Sequence, residues 1–119
     1  MENIKLEYID IFDDNKSKEL LFSAFLIKET YTLNSLFALQ VDGESMQPVI
    51  NHKAVIVADL SNKKLIENGV YIVYYENKMW IKKYKNEEFI SINPDYSHLV
   101  YKKQSVHVVA KAILTFTNL

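Results

Sequence analysis

Ser45 lies in the run Val41-Asp42-Gly43-Glu44-Ser45-Met46-Gln47-Pro48-Val49-Ile50, where a β-patterned stretch ends and a glycine turns the chain. A hydroxyl at the apex of such a turn is exposed, and free backbone N–H groups converge on the same point. Those of Glu44 and Ser45 can stabilise a developing oxyanion. Pro48 follows within one turn, where a short helix tolerates it. A serine alone is a weak nucleophile and needs a base. The bland alternative for Ser45 is a turn hydroxyl bonded to its own backbone.

The candidate base is Lys82, in Trp80-Ile81-Lys82-Lys83-Tyr84. Side chains alternate along a strand, so Lys82 shares a face with Trp80 and Tyr84 while Lys83 turns to water. A lysine among aromatics is desolvated, which lowers its pKa. The bland alternative is a strand lysine whose stem lies on apolar surface with its head in water. The histidines His52, His98 and His107 lack the spacing of a metal or triad site and read as surface or core residues. No metal and no cofactor is expected. Without cysteine, disulfides, thiolate metal sites and cysteine nucleophiles are excluded.

These residues need strands to hold them. Lys5 to Phe12 alternates, with Leu6 and Tyr8 on one face and Ile9 and Ile11 on the other. Asp13-Asp14-Asn15 is a solvated turn. Ser17 to Ile27 fits either a short helix capped by Ser17 or a strand from Leu21. Leu36–Val41, Ala54–Ala58 and Val70–Tyr75 are β-runs rich in branched and aromatic residues. Turns at Glu76-Asn77-Lys78 and Lys85-Asn86-Glu87 separate Met79–Tyr84 from Glu88–Ile92. Lys102 and Lys103 suit a solvated loop or an edge strand, where lysine blocks stray pairing. Val106 to Leu114 closes the chain as a long apolar strand. Such an edge needs a partner or a cover, which points to a homodimer. Trp80 and the tyrosines read as core or dimer contacts, with the lining of a peptide groove as the alternative. Closely spaced short strands make an all-β barrel or sandwich, a single domain over residues 1–119.

Composition narrows the function. Hydrophobic residues are 49% of 119, enough for a core without staples. The 14 basic residues are all lysine, against 15 acidic. A near-neutral chain without arginine is a poor nucleic-acid binder, so any DNA contact belongs to a domain outside this chain. No stretch approaches a membrane span, and Met1 to Asp10 does not read as a signal peptide, so a soluble cytoplasmic protein is expected.

Gly43-Glu44-Ser45-Met46-Gln47-Pro48 resembles the Gly-x-Ser-Met-x-Pro signature of the LexA-like serine–lysine peptidases. These are the C-terminal domains of LexA and phage repressors and the UmuD-type proteins. Ile81-Lys82-Lys83-Tyr84 is similar to the family's Val-Lys-Arg-Leu, whose lysine is the base. The 37-residue separation of Ser45 and Lys82 matches. Asn68-Gly69-Val70-Tyr71-Ile72-Val73 and Ser91-Ile92-Asn93-Pro94-Asp95-Tyr96 resemble two further segments, so the likeness runs roughly from Leu36 to Ile113. It implies coiled β-sheets of the LexA and signal-peptidase type, with at most short helical turns, and a homodimer. It implies Ser45 and Lys82 as catalytic, Glu44 and Ser45 N–H groups as oxyanion donors, and Met46 and Pro48 as substrate-binding. The substrate implied is an upstream segment of the protein's own chain, and the resemblance suggests a RecA filament as the partner favouring cleavage. It further implies that the lysine is fully buried only when the cleavage segment folds over it.

This chain departs from the pattern in three places. Lys53-Ala54 replaces a usual Gly-Asp, Ala110 replaces a glycine of the last strand, and no Ala-Gly or Cys-Gly cleavage site exists within the 119 residues. Two alternatives therefore stay open: a non-catalytic dimerisation module, and a signal peptidase-like enzyme, which would need a membrane anchor. Neither a helix-turn-helix pattern nor a basic patch supports a DNA-binding module on its own.

Overall fold

The computed structural model describes residues 2–118. The fold is all-β. Strands β1 (Asn3–Asp10) and β2 (Lys16–Ser23) form an antiparallel two-stranded sheet. The others are β3 (Leu36–Gln40), β4 (Val55–Asp59), β5 (Val70–Tyr75), β6 (Lys78–Lys85), β7 (Glu88–Ile90), β8 (Tyr101–Lys102) and β9 (His107–Phe116). They make one antiparallel sheet in the order β3-β4-β9-β5-β6-β7-β8. Helical structure is confined to four single 3-10 turns among the described residues.

Alternation explains the small sheet. Ile4 pairs with Phe22 and Leu6 with Leu20, all on the inward face. That register resolves the ambiguous stretch after Ser17. It is a strand as far as Ser23, because only strand spacing puts Phe22 opposite Ile4. A 3-10 turn, Ala24–Leu26, then follows. Asp14 and Asn15 take positive φ in the connecting turn, a conformation Asn and Asp tolerate best. Lys18 pairs there with Asp10 at 2.6 Å and with Asp13 at 2.9 Å.

In the large sheet, every residue of β4 is buried: Val55 to Ala58 form an apolar run, and Asp59 at its end accepts hydrogen bonds from Ser61 N–H and Oγ. The turns β5–β6 and β6–β7 carry two residues each at positive φ, Glu76-Asn77 and Asn86-Glu87. This is the backbone of two-residue hairpins, whose twist matches the flanking strands. The C-terminal strand is not an edge. β9 lies between β4 and β5, so it is covered on both sides within one chain. The edge argument for a dimer therefore fails, because β3 and β8 are the outer strands. Lys102 lies on that β8 edge. Pro48 lies in a non-helical turn after a cis Gln47–Pro48 bond rather than at the start of a helix. Lys53 holds φ +72°, a left-handed conformation that suits the glycine of the family pattern better than a lysine.

Two clusters flank the site. Val41, Met46, Ile50, Ala54, Ile56, Ala58, Ile72 and Ala110 lie beneath the serine turn. Tyr71, Val73, Tyr84 and Phe89 lie under the end of β6. Phe89 is fully buried and packs edge-on or tilted against Tyr71 and Tyr84. Phe89→Ala should lower the unfolding free energy by about 3–5 kcal/mol. Urea denaturation measures this, and a loss under about 1 kcal/mol would contradict the packing described.

Candidate active site

Strand alternation delivers Lys82 to the interior. On β6 it shares a face with Trp80 and Tyr84, and its cross-strand partner is the buried Tyr71. Lys82 is itself 0% exposed. Its Nζ donates to Ser91 Oγ at 2.8 Å and lies 3.3 Å from Ser45 Oγ. The Trp80 ring centroid is 5.2 Å away and that of Tyr101 5.9 Å. Tyr75 stacks on Tyr101 at 4.1 Å and extends this aromatic wall. Burial pushes the Lys82 pKa down from 10.5 to about 8. Among the described residues no carboxylate lies within ion-pair distance of it. The expectation that burial awaits a separate segment is therefore corrected: Trp80, Tyr101 and Ser91 already enclose the amine.

The serine turn is held from below and from both ends. Met46 is 2% exposed and Val41 7%, so the residues on either side of the apex are anchored in one core cluster. Val41 also exchanges backbone hydrogen bonds with Ala54 and Lys53. Gly43 takes φ +134°, which only glycine adopts freely, and donates its N–H to His52 Nδ1 at 2.9 Å. His52, read from sequence as an ordinary surface or core residue, thus fixes the entry to the turn. No hydrogen bond among the described residues takes the N–H of Glu44 or Ser45.

Ser45 opens onto a cavity of about 300 Å³. Leu39, Ile72, Met79, Trp80, Ile81 and Leu99 supply most of its apolar wall. Trp80 thus lines a groove as well as shielding the lysine. Met46 contributes to the lining, while Pro48 is exposed and does not. The structure therefore brings together Ser45, Lys82, Glu44 and Met46, and leaves Pro48 outside. Sequence reasoning missed Ser91 and Asn93 as members of the site. Asn93 donates its N–H to Ser45 O and its Nδ2 to Glu44 O, each at 2.9 Å. The signal was the Ser91-to-Tyr96 segment itself, whose residues had no chemistry attached until the contacts were seen.

A serine hydroxyl at hydrogen-bond distance from a buried, uncompensated lysine, beside unpaired N–H groups and an apolar groove, defines a class of site suited to acyl transfer. The family comparison agrees with that class. The Peptidase S24-like profile matches residues 8–113, most of the chain. The protein belongs to this family, that of the LexA, UmuD and phage repressor C-terminal domains. No curated protein matches the chain at a significant level. Among the described residues no helix is long and apolar enough to cross a membrane.

The buried lysine has a thermodynamic signature. Folded Lys82 loses its proton near pH 8, whereas in the unfolded chain it does so near 10.4. Between those values the unfolded state binds more protons, so stability rises with pH across that window. Below it the full penalty applies, about 3 kcal/mol from the size of the shift. Lys82→Met should therefore be more stable than the native protein at pH 7 by up to about 3 kcal/mol, with the gap closing by about pH 10.5. Urea midpoints at the two pH values test this. A variant less stable at pH 7 and unchanged at 10.5 would reverse the sign.

Proposed function

We propose that the protein is a self-cleaving serine–lysine peptidase and dimerisation domain, of the kind carried by LexA-like or phage-type repressors and UmuD-type proteins. The single observation that carries this is the 3.3 Å approach of Ser45 Oγ to a fully buried Lys82 Nζ. Ser45 Oγ attacks a peptide carbonyl lying in the groove, and neutral Lys82 takes the hydroxyl proton. The oxyanion accepts hydrogen bonds from the N–H groups of Glu44 and Ser45. The intermediate collapses as the Lys82 ammonium protonates the leaving amine. Water then attacks the ester with Lys82 again as base, releasing the acid and free Ser45.

Magnitudes favour this over a passive lysine. At an ordinary pKa, fewer than about one lysine in a thousand is neutral at pH 7. At a pKa near 8 the share is about one in ten, a gain of more than a hundredfold in competent base. The substrate we assign is a small-residue–glycine bond supplied by a segment outside these 119 residues. Gly43 is built into the serine turn, and Gly69 is fixed by backbone hydrogen bonds to Ile66 and Tyr84. Family membership supports a homodimer, a DNA contact through another domain and a RecA filament as inducer. A non-catalytic dimerisation module is the second reading, favoured by the absence of Ala-Gly and Cys-Gly from the chain.

A fluorophosphonate probe separates the two, because it reacts with an activated serine whatever the natural substrate. Serine oxygen forms a bond to phosphorus, fluoride leaves, and the proton passes to the base. We expect a single adduct on Ser45 by intact-mass analysis, with a rate that climbs to a plateau through a midpoint near pH 8. Ser45→Ala should abolish it and Lys82→Met should slow it by about a hundredfold or more. The unlabelled chain should remain whole at pH 10. An unreactive native protein across pH 7 to 10 would leave the dimerisation module as the better account.

A further inference from the structure

The geometry points to Ser91 and Asn93 as positioning residues of the reaction, one bracing the base and the other bracing the nucleophile turn from the same short segment after β7. The inference rests on the peptidase reading above and adds to it what holds the two reacting groups in register.

A neutral lysine amine has two N–H groups and one lone pair, and it rotates freely about its last bond. It accepts the Ser45 proton only when the lone pair faces Ser45 Oγ. Ser91 Oγ, 2.8 Å from Lys82 Nζ, is the closer of its two hydroxyl partners. With one N–H committed to Ser91, the amine has fewer ways to turn its lone pair from Ser45. Serine–base–orienter triads obey this logic, here with a hydroxyl in the third place.

Asn93 acts on the other half. Its Nδ2 takes Glu44 O and its backbone N–H takes Ser45 O, both at 2.9 Å. These carbonyls belong to the two peptide planes that flank the Ser45 Cα. A trans peptide points its C=O and N–H in opposite directions. Holding the Glu44 carbonyl toward Asn93 therefore turns the Ser45 N–H away from Asn93. The amide of Asn93 cannot be reversed without loss, because its Oδ1 accepts the Asp95 N–H at 3.0 Å. Ile92, between the two bracing residues, packs against the cluster that contains Met46. The segment thus shares its footing with the turn it braces.

The experiment uses the full chain, the fluorophosphonate probe and amide and lysine 13Cε NMR. Ser91→Ala should lower the labelling plateau by about 10- to 100-fold, and Ser91→Thr should restore most of it. The Lys82 midpoint in Ser91→Ala should stay or fall, since a hydroxyl acceptor favours the ammonium form. A midpoint climbing toward 10 would mean that Ser91 only excludes water, and would overturn its role. Asn93→Ser keeps an uncharged capping oxygen for Asp95 and removes the arm to Glu44. It should cut the plateau by about 10- to 100-fold with the midpoint unmoved, and shift the Ser45 amide proton. Variants that label like the native protein, or a Ser45 amide that does not move, would overturn the brace. If the native protein itself fails to label, the peptidase reading falls, and the amide shift and the Lys82 titration still decide whether the brace exists.

Discussion

An ammonium group sealed from water with no carboxylate beside it is costly, and the rest of the sheet can be read as what makes it tolerable. Lys82 has two hydroxyl neighbours and two aromatic faces in place of a counter-ion. The aromatic faces favour the charged form, while exclusion of water opposes it. Exclusion wins, and the pKa falls to about 8. The cost near neutral pH is about 3 kcal/mol, a large share of the 5–15 kcal/mol by which domains are usually stable. It is offset by apolar burial elsewhere in the sheet: Phe89 and Val73 in the cluster under β6, and Val55 to Ala58 of β4 beyond β9.

The same constraint explains the sheet order. Lys82 needs closed walls along β6. β5 flanks it on one side and the short β7 on the other, after which the chain turns back through Ser91 to Asn93 toward the serine turn. Tyr71 is opposite Lys82 and spends its hydroxyl locally, donating to Lys64 O and accepting from Ile66 N–H. That phenol is therefore not free to pair with the amine. The serine turn arrives from a different direction, rooted in Val41 and Met46. Two independently anchored elements meet at 3.3 Å, and a third segment touches both.

Much of this was legible in the residues. Turn chemistry and strand alternation made Ser45 and Lys82 eligible, but what singled them out was the likeness of their flanking motifs and 37-residue spacing to the family signatures. The hairpins were readable from local chemistry, since Glu76-Asn77 and Asn86-Glu87 carry turn residues between dense β-runs. What was not legible depends on pairing at a distance. Ser17 to Ile27 had no decisive period, and only the register of Phe22 against Ile4 makes it a strand as far as Ser23. The apolar pattern of Val106 to Leu114 fits a dimer edge and an interior strand equally well, and topology chose the interior. His52 and Asn93 look ordinary because their partners are backbone atoms, Gly43 N–H and the carbonyls of Glu44 and Ser45, which have no sequence signature.

The departures from the family pattern bear on the same point. Lys53 occupies a left-handed position that a glycine fills more cheaply, yet its neighbour Ala54 is buried and the backbone around it is paired with Val41. Its Nζ also lies 5.1 Å from the Phe12 ring, which in turn meets His52 edge-on at 5.0 Å. Strain at one residue of this kind is of order 1–2 kcal/mol, and it persists only where the surroundings over-determine the backbone. Ala110 is 0% exposed between β4 and β5, beside the register shift with β5. One methyl there fills sheet interior and faces no substrate. Both substitutions therefore act on the scaffold, while the groups around Ser45 and Lys82 keep the pattern's types: glycine at 43, serine at 45, lysine at 82, serine at 91 and asparagine at 93. A purely structural module has no use for a buried, uncompensated amine at Lys82 that lowers stability near neutral pH, so its presence weighs toward chemistry.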